Sequence, residues 1–267
     1  MQEKDRKTAE EEARRLVLEN IADGGGAIAQ NEKERFQCIS IIGQIEGHYL
    51  LPEGQKSTKY EQLIPLLVSL EESDDVDGVL LILNTMGGDV EAGLALAELI
   101  ASMSKPTVSL VLGGGHSIGV PLATSAKYSL IVPSATMTLH PVRINGTVLG
   151  VPQSFRYMGE MQKRIVNFIC SHSKARREEI EELMLRPDQI ATDCGTILEG
   201  KEAVQYGILD EVGGLSRALE VLRGLSASGR NTDPTVSNNN KNNSHSKKDE
   251  KSDRAEEKEE KHSKKRG

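Results

Sequence analysis

The stretch TVSLVLGGGHSIGVPLATSA, residues Thr107 to Ala126, decides the fold. It begins with a short apolar run that is typical of a strand buried on both faces of a parallel sheet. Three glycines, a histidine and a serine follow, and the small residues after them favour a helix. A buried strand that turns through glycine directly into a helix is half of a βαβ unit. The stretch therefore predicts an α/β fold.

The rest of residues 36 to 230 repeats this alternation. FQCISIIG and DGVLLILN have the composition of strands, whereas EQLIPLLVSLEES and GGDVEAGLALAELIASMS have helical spacing. Two short strands, YSLIV and ATMTLH, follow the opening stretch. A long helix from Ser154 to Ser171, a second helix REEIEELML and a closing segment KEAVQYGILDEVG complete the order. Repeated βαβ units with right-handed crossovers are the simplest architecture for this order.

The two ends of the chain differ from this central domain. Residues 1 to 35 are mostly charged and predict a helix or arm at the N-terminus. Residues 231 to 267 carry almost no apolar side chains, so they cannot bury enough surface to offset the entropy of ordering. We therefore expect a single domain over residues 36 to 230 and a disordered, low-complexity C-terminal tail.

Composition narrows the class of function. The 33 basic and 40 acidic residues give a net charge of -7, and no dense basic patch lies in the apolar-patterned region, which argues against nucleic acid as a partner. The three cysteines lack CxxC spacing, so neither a disulfide framework nor a zinc site is predicted. The charged N-terminus does not resemble a signal peptide, and no apolar run is long enough to span a bilayer. We expect a cytoplasmic protein.

Two strand-to-helix turns are candidates for a site, NTMGGDVEAG and GGGHSIGVPL. In a parallel sheet both turns lie at the carboxyl ends of strands, where ligands usually bind. Each turn directs free N–H groups of a helix N-terminus toward the space between them, an arrangement that suits a developing oxyanion. Glycine by itself permits tight turns, and serine is a common helix cap. The presence of two such turns one unit apart favours the functional interpretation.

Ser117 needs a base to become a nucleophile. GHSIG also matches the nucleophile elbow of α/β-hydrolases, but that family places an acid and then a histidine after the serine. The histidines that follow a suitable acid here, His245 and His262, lie in the predicted tail. His140 ends the short strand MTLH and is the better candidate. His116 adjoins the serine, so its side chain is expected to point away.

These segments resemble the ClpP family, the proteolytic subunit of the Clp protease, within the crotonase-like superfamily. Five motifs match in order: IIGQIE, NTMGGDVEAG, GGGHSIG, MTLHPV and GKEAVQYGILDEV. The resemblance implies a ClpP/crotonase-like α/β fold of stacked ββα units, with a handle helix from Ser154 to Ser171 that joins two rings. It also implies a homo-oligomeric ring with an enclosed chamber, dependence on an ATP-driven AAA+ unfoldase for folded substrates, and no cofactor or metal.

The resemblance also implies residue roles. Ser117 would be the nucleophile and His140 the general base, and the amides of Gly88 and Ile118 would form the oxyanion hole. The segment after His140 would receive the backbone of the polypeptide substrate, through residues Ile144, Asn145, Gly146 and Thr147.

The chain departs from the family pattern at several positions. An ungapped count from GKEAVQYG puts the catalytic aspartate of the family on Gly195, while Asp193 lies two residues earlier and Asp188 is a more distant candidate. Met86 replaces a proline, and His116 replaces a small residue. Together with the insertion YLLPEGQKSTKY and the charged ends, these features resemble the translocation-enhancing branch of ClpP-like proteins, which the resemblance ties to protein export or to a specialised peptidase role in spore-forming bacteria.

Three functions fit these observations. The first is a serine endopeptidase that cleaves unfolded or small proteins through an acyl-enzyme, with Asp193 as the expected third member of the triad. The second is a non-catalytic assembly or adaptor protein that enhances the translocation of secretory precursors, which the displaced aspartate and charged ends favour. The third is acyl-CoA chemistry on the same fold, against which the serine and histidine segments argue.

Overall fold

The computed structural model describes residues 27–30, 34–143, 150–187 and 194–231. Within these residues the chain forms a mixed α/β fold. The strands are β1 Ala27–Gln30, β2 Arg35–Glu46, β3 Ser57–Lys59, β4 Gly78–Gly88, β5 Thr107–Gly115, β6 Tyr128–Ile131, β7 Thr136–Leu139, β8 Thr196–Glu199 and β9 Glu211–Val212. The helices are α1 Tyr60–Glu72, α2 Val90–Ser102, α3 Gly119–Thr124, α4 Pro152–Ser171, α5 Arg177–Leu185, α6 Gly200–Gln205 and α7 Leu215–Asn231.

The central sheet has the strand order β1-β2-β4-β5-β6-β9. The pairs β2–β4, β4–β5, β5–β6 and β6–β9 are all parallel, and α1, α2 and α3 lie in the crossovers between them. The parallel α/β architecture predicted from the alternating pattern is confirmed. Because the strands are parallel, the carboxyl ends of β4 and β5 lie side by side, with Thr85 in register with Gly115.

The continuous apolar run in β4 reflects burial on both faces of the sheet. Leu81 and Leu83 belong to the main core, which packs against the helices on one face. Leu80 points to the opposite face, where Leu222 of α7 covers it. Each of these leucines is at most 2% exposed, and full burial of a leucine contributes about 1.5–3 kcal/mol. This burial on both faces holds β4 in place, together with the double glycine at its carboxyl end.

Three features go beyond the sequence-based expectations. Helix α7, which covers the second face of the sheet, was not predicted as an element. Strand β1 lies within the segment predicted as a helix or arm, and it pairs with β2 in antiparallel fashion. Strand β7 pairs antiparallel with β8 and has a single bridge to β5. Residues 1–26 and 31–33 of the predicted arm and residues 232–267 of the predicted tail lie outside the described residues. Within the described part no helix is long and apolar enough to cross a membrane.

Candidate active site

The serine turn joins β5 to α3 in a strained conformation. Ser117 has a φ of 58°, and within the described ranges no other residue except glycine has a positive φ. A left-handed conformation is unfavourable for a residue with a Cβ atom and is retained where the surrounding structure enforces it. The Ser117 N–H donates to the Thr138 carbonyl at 2.8 Å, which ties the turn to β7. The turn therefore presents the serine side chain in a fixed direction.

The double glycine at the carboxyl end of β4 packs directly against Ser117. Gly87 has a φ of 91°, and a Cβ atom there would lie 2.6 Å from the Ser117 Cβ. At Gly88, a Cβ atom would lie 2.3 Å from the Ile45 carbonyl oxygen. Because real Cβ atoms do not make contacts this short, both positions require glycine. The missing side chains let the backbone of this turn approach the serine.

The amides near Ser117 are mostly occupied by backbone acceptors. Four of the five N–H groups from residue 116 to residue 120 donate to carbonyl oxygens at 2.8–3.1 Å. The fifth belongs to Ile118, and it has no such backbone acceptor among the described residues. In the other turn, the Gly87 N–H donates to Thr85 Oγ1 at 3.1 Å. The Ile118 amide is thus available to an oxygen atom bound beside the serine.

His140 follows the last residue of β7. Its half-buried ring donates from Nδ1 to the Pro141 carbonyl oxygen at 2.7 Å. A carbonyl oxygen can only accept, so Nδ1 carries the proton and Nε2 of the neutral ring keeps its lone pair. His140 therefore has the tautomer that a base needs at Nε2.

A cleft of about 320 Å³ brings the two turns and the histidine together. Ser117, His140, Gly88 and Ile118 all contribute to its lining. The remaining wall is mixed: it includes the polar Gln44 and the charged Arg143, and its apolar part includes Met86, Val90, Val120, Ile165, Ile169 and Met184. The cleft therefore brings a serine hydroxyl, an imidazole ring and backbone N–H donors together. Over the described ranges, no group of three or more His, Cys, Asp or Glu side chains is placed to hold a metal ion.

The His116 ring lies on the other side of the turn. Its Nδ1 is 2.8 Å from Thr138 Oγ1, and a Cβ atom on Gly114 would lie 2.5 Å from its Nε2. His116 does not contribute to the lining of the cleft. Burial, and to a lesser degree the nearby charge of His140, lowers the pKa of His116 below its ordinary value of 6.5. The ring therefore favours its neutral form, packed against β5.

The position predicted for an aspartate lies across from His140. Leu139 is in register with Thr196 in the antiparallel β7–β8 pair, so the next residue along β7 faces Gly195. Gly195 has a φ of 139°, and its N–H donates to the Arg186 carbonyl oxygen at 2.7 Å. The alternative acids Asp193 and Asp188 lie outside the described residues. The same holds for the predicted substrate-binding residues Ile144, Asn145, Gly146 and Thr147.

Two threonines that hold the site together were missed by sequence reasoning. Thr85 is 1% exposed; its hydroxyl donates to the Gly43 carbonyl oxygen at 2.6 Å while it accepts from Gly87. Thr138 contacts both the Ser117 amide and the His116 ring. A polar residue between an apolar strand and a double glycine was a usable signal for Thr85. No local signal marks Thr138, because its partners are more than twenty residues away.

Comparison with known proteins agrees with this arrangement. The model of the Clp protease family matches residues 32–215. The chain belongs to the Clp protease family. It is 52% identical over 207 residues to a translocation-enhancing protein, TepA, of Halalkalibacterium halodurans, an alignment that covers 77% of this chain and 81% of that protein.

The Clp protease relatives are more distant. The chain is 25% identical over 157 residues to an ATP-dependent Clp protease proteolytic subunit of Lactococcus lactis, and this covers 56% of the chain and 74% of the relative. It is 26% identical over 167 residues to proteolytic subunit 1 of Chlamydia muridarum, covering 60% and 82%. The resemblance to the ClpP family inferred from the motifs is confirmed. The chain is more similar to TepA than to these two proteolytic subunits, as the predicted TepA branch requires.

Proposed function

We propose that this Clp-family protein is a serine endopeptidase that hydrolyses unfolded polypeptides or small proteins. One observation carries the proposal: Ser117, His140, Gly88 and Ile118 line the same cleft. The apolar part of its wall, which includes Val90 and Ile165, suits an apolar side chain of the substrate next to the bond to be cleaved. The site belongs to a fold whose relatives include proteolytic subunits of ATP-dependent Clp proteases.

The reaction proceeds through an acyl-enzyme. His140 Nε2 takes the hydroxyl proton of Ser117 as Oγ attacks the substrate carbonyl carbon, and the Ile118 and Gly88 amides bind the resulting oxyanion. A donor in such a hole typically contributes about 10²–10³-fold to the rate. The protonated His140 then gives its proton to the leaving amine. Water, deprotonated by the same histidine, releases the second product and regenerates Ser117.

Asp193 remains the proposed acid behind His140, and residues 144–147 the proposed docking segment for the substrate backbone. An acid at that place supports the positive charge that His140 gains during the reaction. We further propose that the protein acts in the cytoplasm as a homo-oligomeric ring that works with an AAA+ unfoldase or an export component. The family membership and the absence of any disulfide between Cys38, Cys170 and Cys194 support this setting.

A fluorophosphonate probe tests the proposal, because it reacts with a serine only when a base and an oxyanion hole activate it. The wild-type chain should be labelled at Ser117, and Ser117→Ala should not be labelled at all. His140→Ala should react on the order of 10³-fold more slowly, since the base is lost. Ser125→Ala, which removes a buried hydroxyl outside the cleft, is the matched control. Equal labelling of wild type and Ser117→Ala would exclude a serine peptidase.

A second function is favoured by the TepA relative, whose name describes enhancement of translocation. In this alternative the chain keeps the fold as an assembly or adaptor protein and aids the export of secretory precursors without cleaving a bond. Complementation separates the two functions: Ser117→Ala should fail to restore export in a deletion strain if cleavage is required. Full restoration by Ser117→Ala would favour the adaptor.

A further inference from the structure

The peptide unit between Pro141 and Val142 contacts both the catalytic histidine and helix α4. Its carbonyl oxygen accepts the Nδ1 proton of His140 at 2.7 Å, and its N–H, on Val142, donates to Gln162 Oε1 at 3.2 Å. A peptide unit is planar, so its carbonyl and its N–H turn together. Any group that fixes the N–H therefore also fixes the direction of the carbonyl.

Each partner in this chain of hydrogen bonds has a fixed role. The Val142 N–H can only donate, so the side-chain oxygen of Gln162, rather than its NH₂ group, faces it. The Pro141 carbonyl can only accept, so the imidazole must donate from Nδ1. The two hydrogen bonds therefore run in one direction: the His140 ring donates to the peptide unit, and the peptide unit donates to Gln162. These bonds polarise the same peptide unit in the same sense, which strengthens both.

Proline at position 141 stiffens the connection. Its ring fixes φ near -65°, and it restricts the preceding residue, His140, to extended conformations. The backbone on either side of the carbonyl therefore has few alternatives. The rotation of the 141–142 peptide is the main remaining freedom, and the acceptor on α4 removes it.

We propose that Gln162 is a positioning residue, which holds the Pro141 carbonyl against His140 Nδ1 and so selects the tautomer in which Nε2 can accept the Ser117 proton. This role rests on the proposed peptidase function. It assigns to a backbone carbonyl the orienting task that a side-chain acid has in the serine triad. A carbonyl dipole sets the tautomer as a carboxylate does, but it supports the charge of the imidazolium less.

The first test is spectroscopic and needs no activity. The ring nitrogens of His140 are observed by ¹⁵N NMR in the full-length chain at a pH where the ring is neutral, with His140→Gln to assign the signals. The wild type should show a single tautomer with the proton on Nδ1. Gln162→Leu, which removes the acceptor, should give a mixture of tautomers, whereas Gln162→Glu should keep the wild-type pattern. A wild-type ring protonated on Nε2 would by itself overturn the proposal.

The second test is the rate of fluorophosphonate labelling. Gln162→Leu should be slowed roughly three- to tenfold, the range expected for one neutral hydrogen bond. Gln162→Glu should react at nearly the wild-type rate. Gln153→Leu, the same substitution at an exposed position of α4, is the control and should not differ from wild type.

The outcomes separate this proposal from the proposed function. Absence of labelling in the wild type would exclude the peptidase, while the tautomer would still report on Gln162. Normal labelling together with an unchanged tautomer in Gln162→Leu would exclude the positioning role alone. A change of tautomer in Asp193→Asn, with none in Gln162→Leu, would assign the orienting role to the acid and overturn the proposal.

Discussion

The two halves of the cleft are held by different kinds of contact. On the serine side, Ser117 is fixed by backbone hydrogen bonds and by the close approach of Gly87. On the histidine side, His140 follows the last residue of a four-residue strand, and its ring donates to the carbonyl oxygen of Pro141. The N–H of the same peptide unit is held by one side chain of α4, Gln162. Backbone packing tolerates almost no added atom, whereas a side-chain contact can be weakened in steps. Substitutions on the serine side should therefore have the larger effects.

The largest effect is expected from Gly87→Ala. The new methyl group would lie 2.6 Å from the Ser117 Cβ, at a residue whose φ of 91° already disfavours a side chain. A displacement of about 1 Å at a nucleophile can reduce the rate about 10²-fold, and we expect at least that loss in fluorophosphonate labelling. Gly224→Ala, on the exposed side of α7 with no atom nearby, should label normally. Labelling of Gly87→Ala at the wild-type rate would show that the serine side tolerates crowding.

Thr85→Val should have the next largest effect, on stability. The substitution keeps the shape of this buried side chain but leaves the Gly43 carbonyl and the Gly87 N–H without their partner. Loss of a buried partner costs about 1–3 kcal/mol, which urea unfolding can measure. Thr136→Val, at a half-buried position of β7, provides a comparison with the same change of side chain. Equal unfolding midpoints for the two variants would contradict the importance of these hydrogen bonds.

His116→Gln should change how stability depends on pH. Because the pKa of His116 is lower in the folded than in the unfolded protein, the unfolded chain binds more protons as the pH falls below 6.5. The stability that neutral His116 contributes is thus present above the pKa of His116 in the unfolded chain. It is lost as the pH falls through the lower pKa of His116 in the folded protein. The variant lacks this loss, so its stability should decrease less than that of the wild type in mild acid.

Urea midpoints at about pH 7.5 and about pH 5 measure the difference between the two proteins. His48→Gln, in the loop after β2, serves as the matched substitution. The same decrease in the wild type and in His116→Gln would show that His116 does not contribute to the acid sensitivity.

The smallest effect is expected from removing an ion pair on the surface that connects α2 with α4. Arg164 of α4 forms a bidentate ion pair with Glu91 of α2, at 2.5 and 2.9 Å. Both side chains are about half exposed, and such pairs contribute about 0–1 kcal/mol. A double-mutant cycle with Arg164→Ala and Glu91→Ala should give a coupling in that range that shrinks in high salt. A coupling well above this range would mean that the pair locks the two helices together.

The order of most strands and helices and the position of Ser117 in a glycine turn followed from local pattern. A continuous apolar run, a glycine turn and a helix are adjacent in sequence, so β4, β5 and the turn at Ser117 could be predicted. Helix α7 could not, because its role depends on Leu222 covering Leu80, more than a hundred residues away. Strand β1 was missed for a similar reason, since four residues carry little pattern and only pairing with β2 makes them a strand.

The sequence by itself determined which chemical groups the site contains: a serine in a glycine turn, a second glycine turn and a histidine at a strand end. Only the tertiary structure decided how they are held. The register of β7 with β8 placed Gly195 across from His140, and the packing of α4 brought Gln162 to the Val142 amide. Hydrogen bonds between distant segments depend on the direction and register of whole elements, and these are set by packing across the fold rather than by neighbours in the chain.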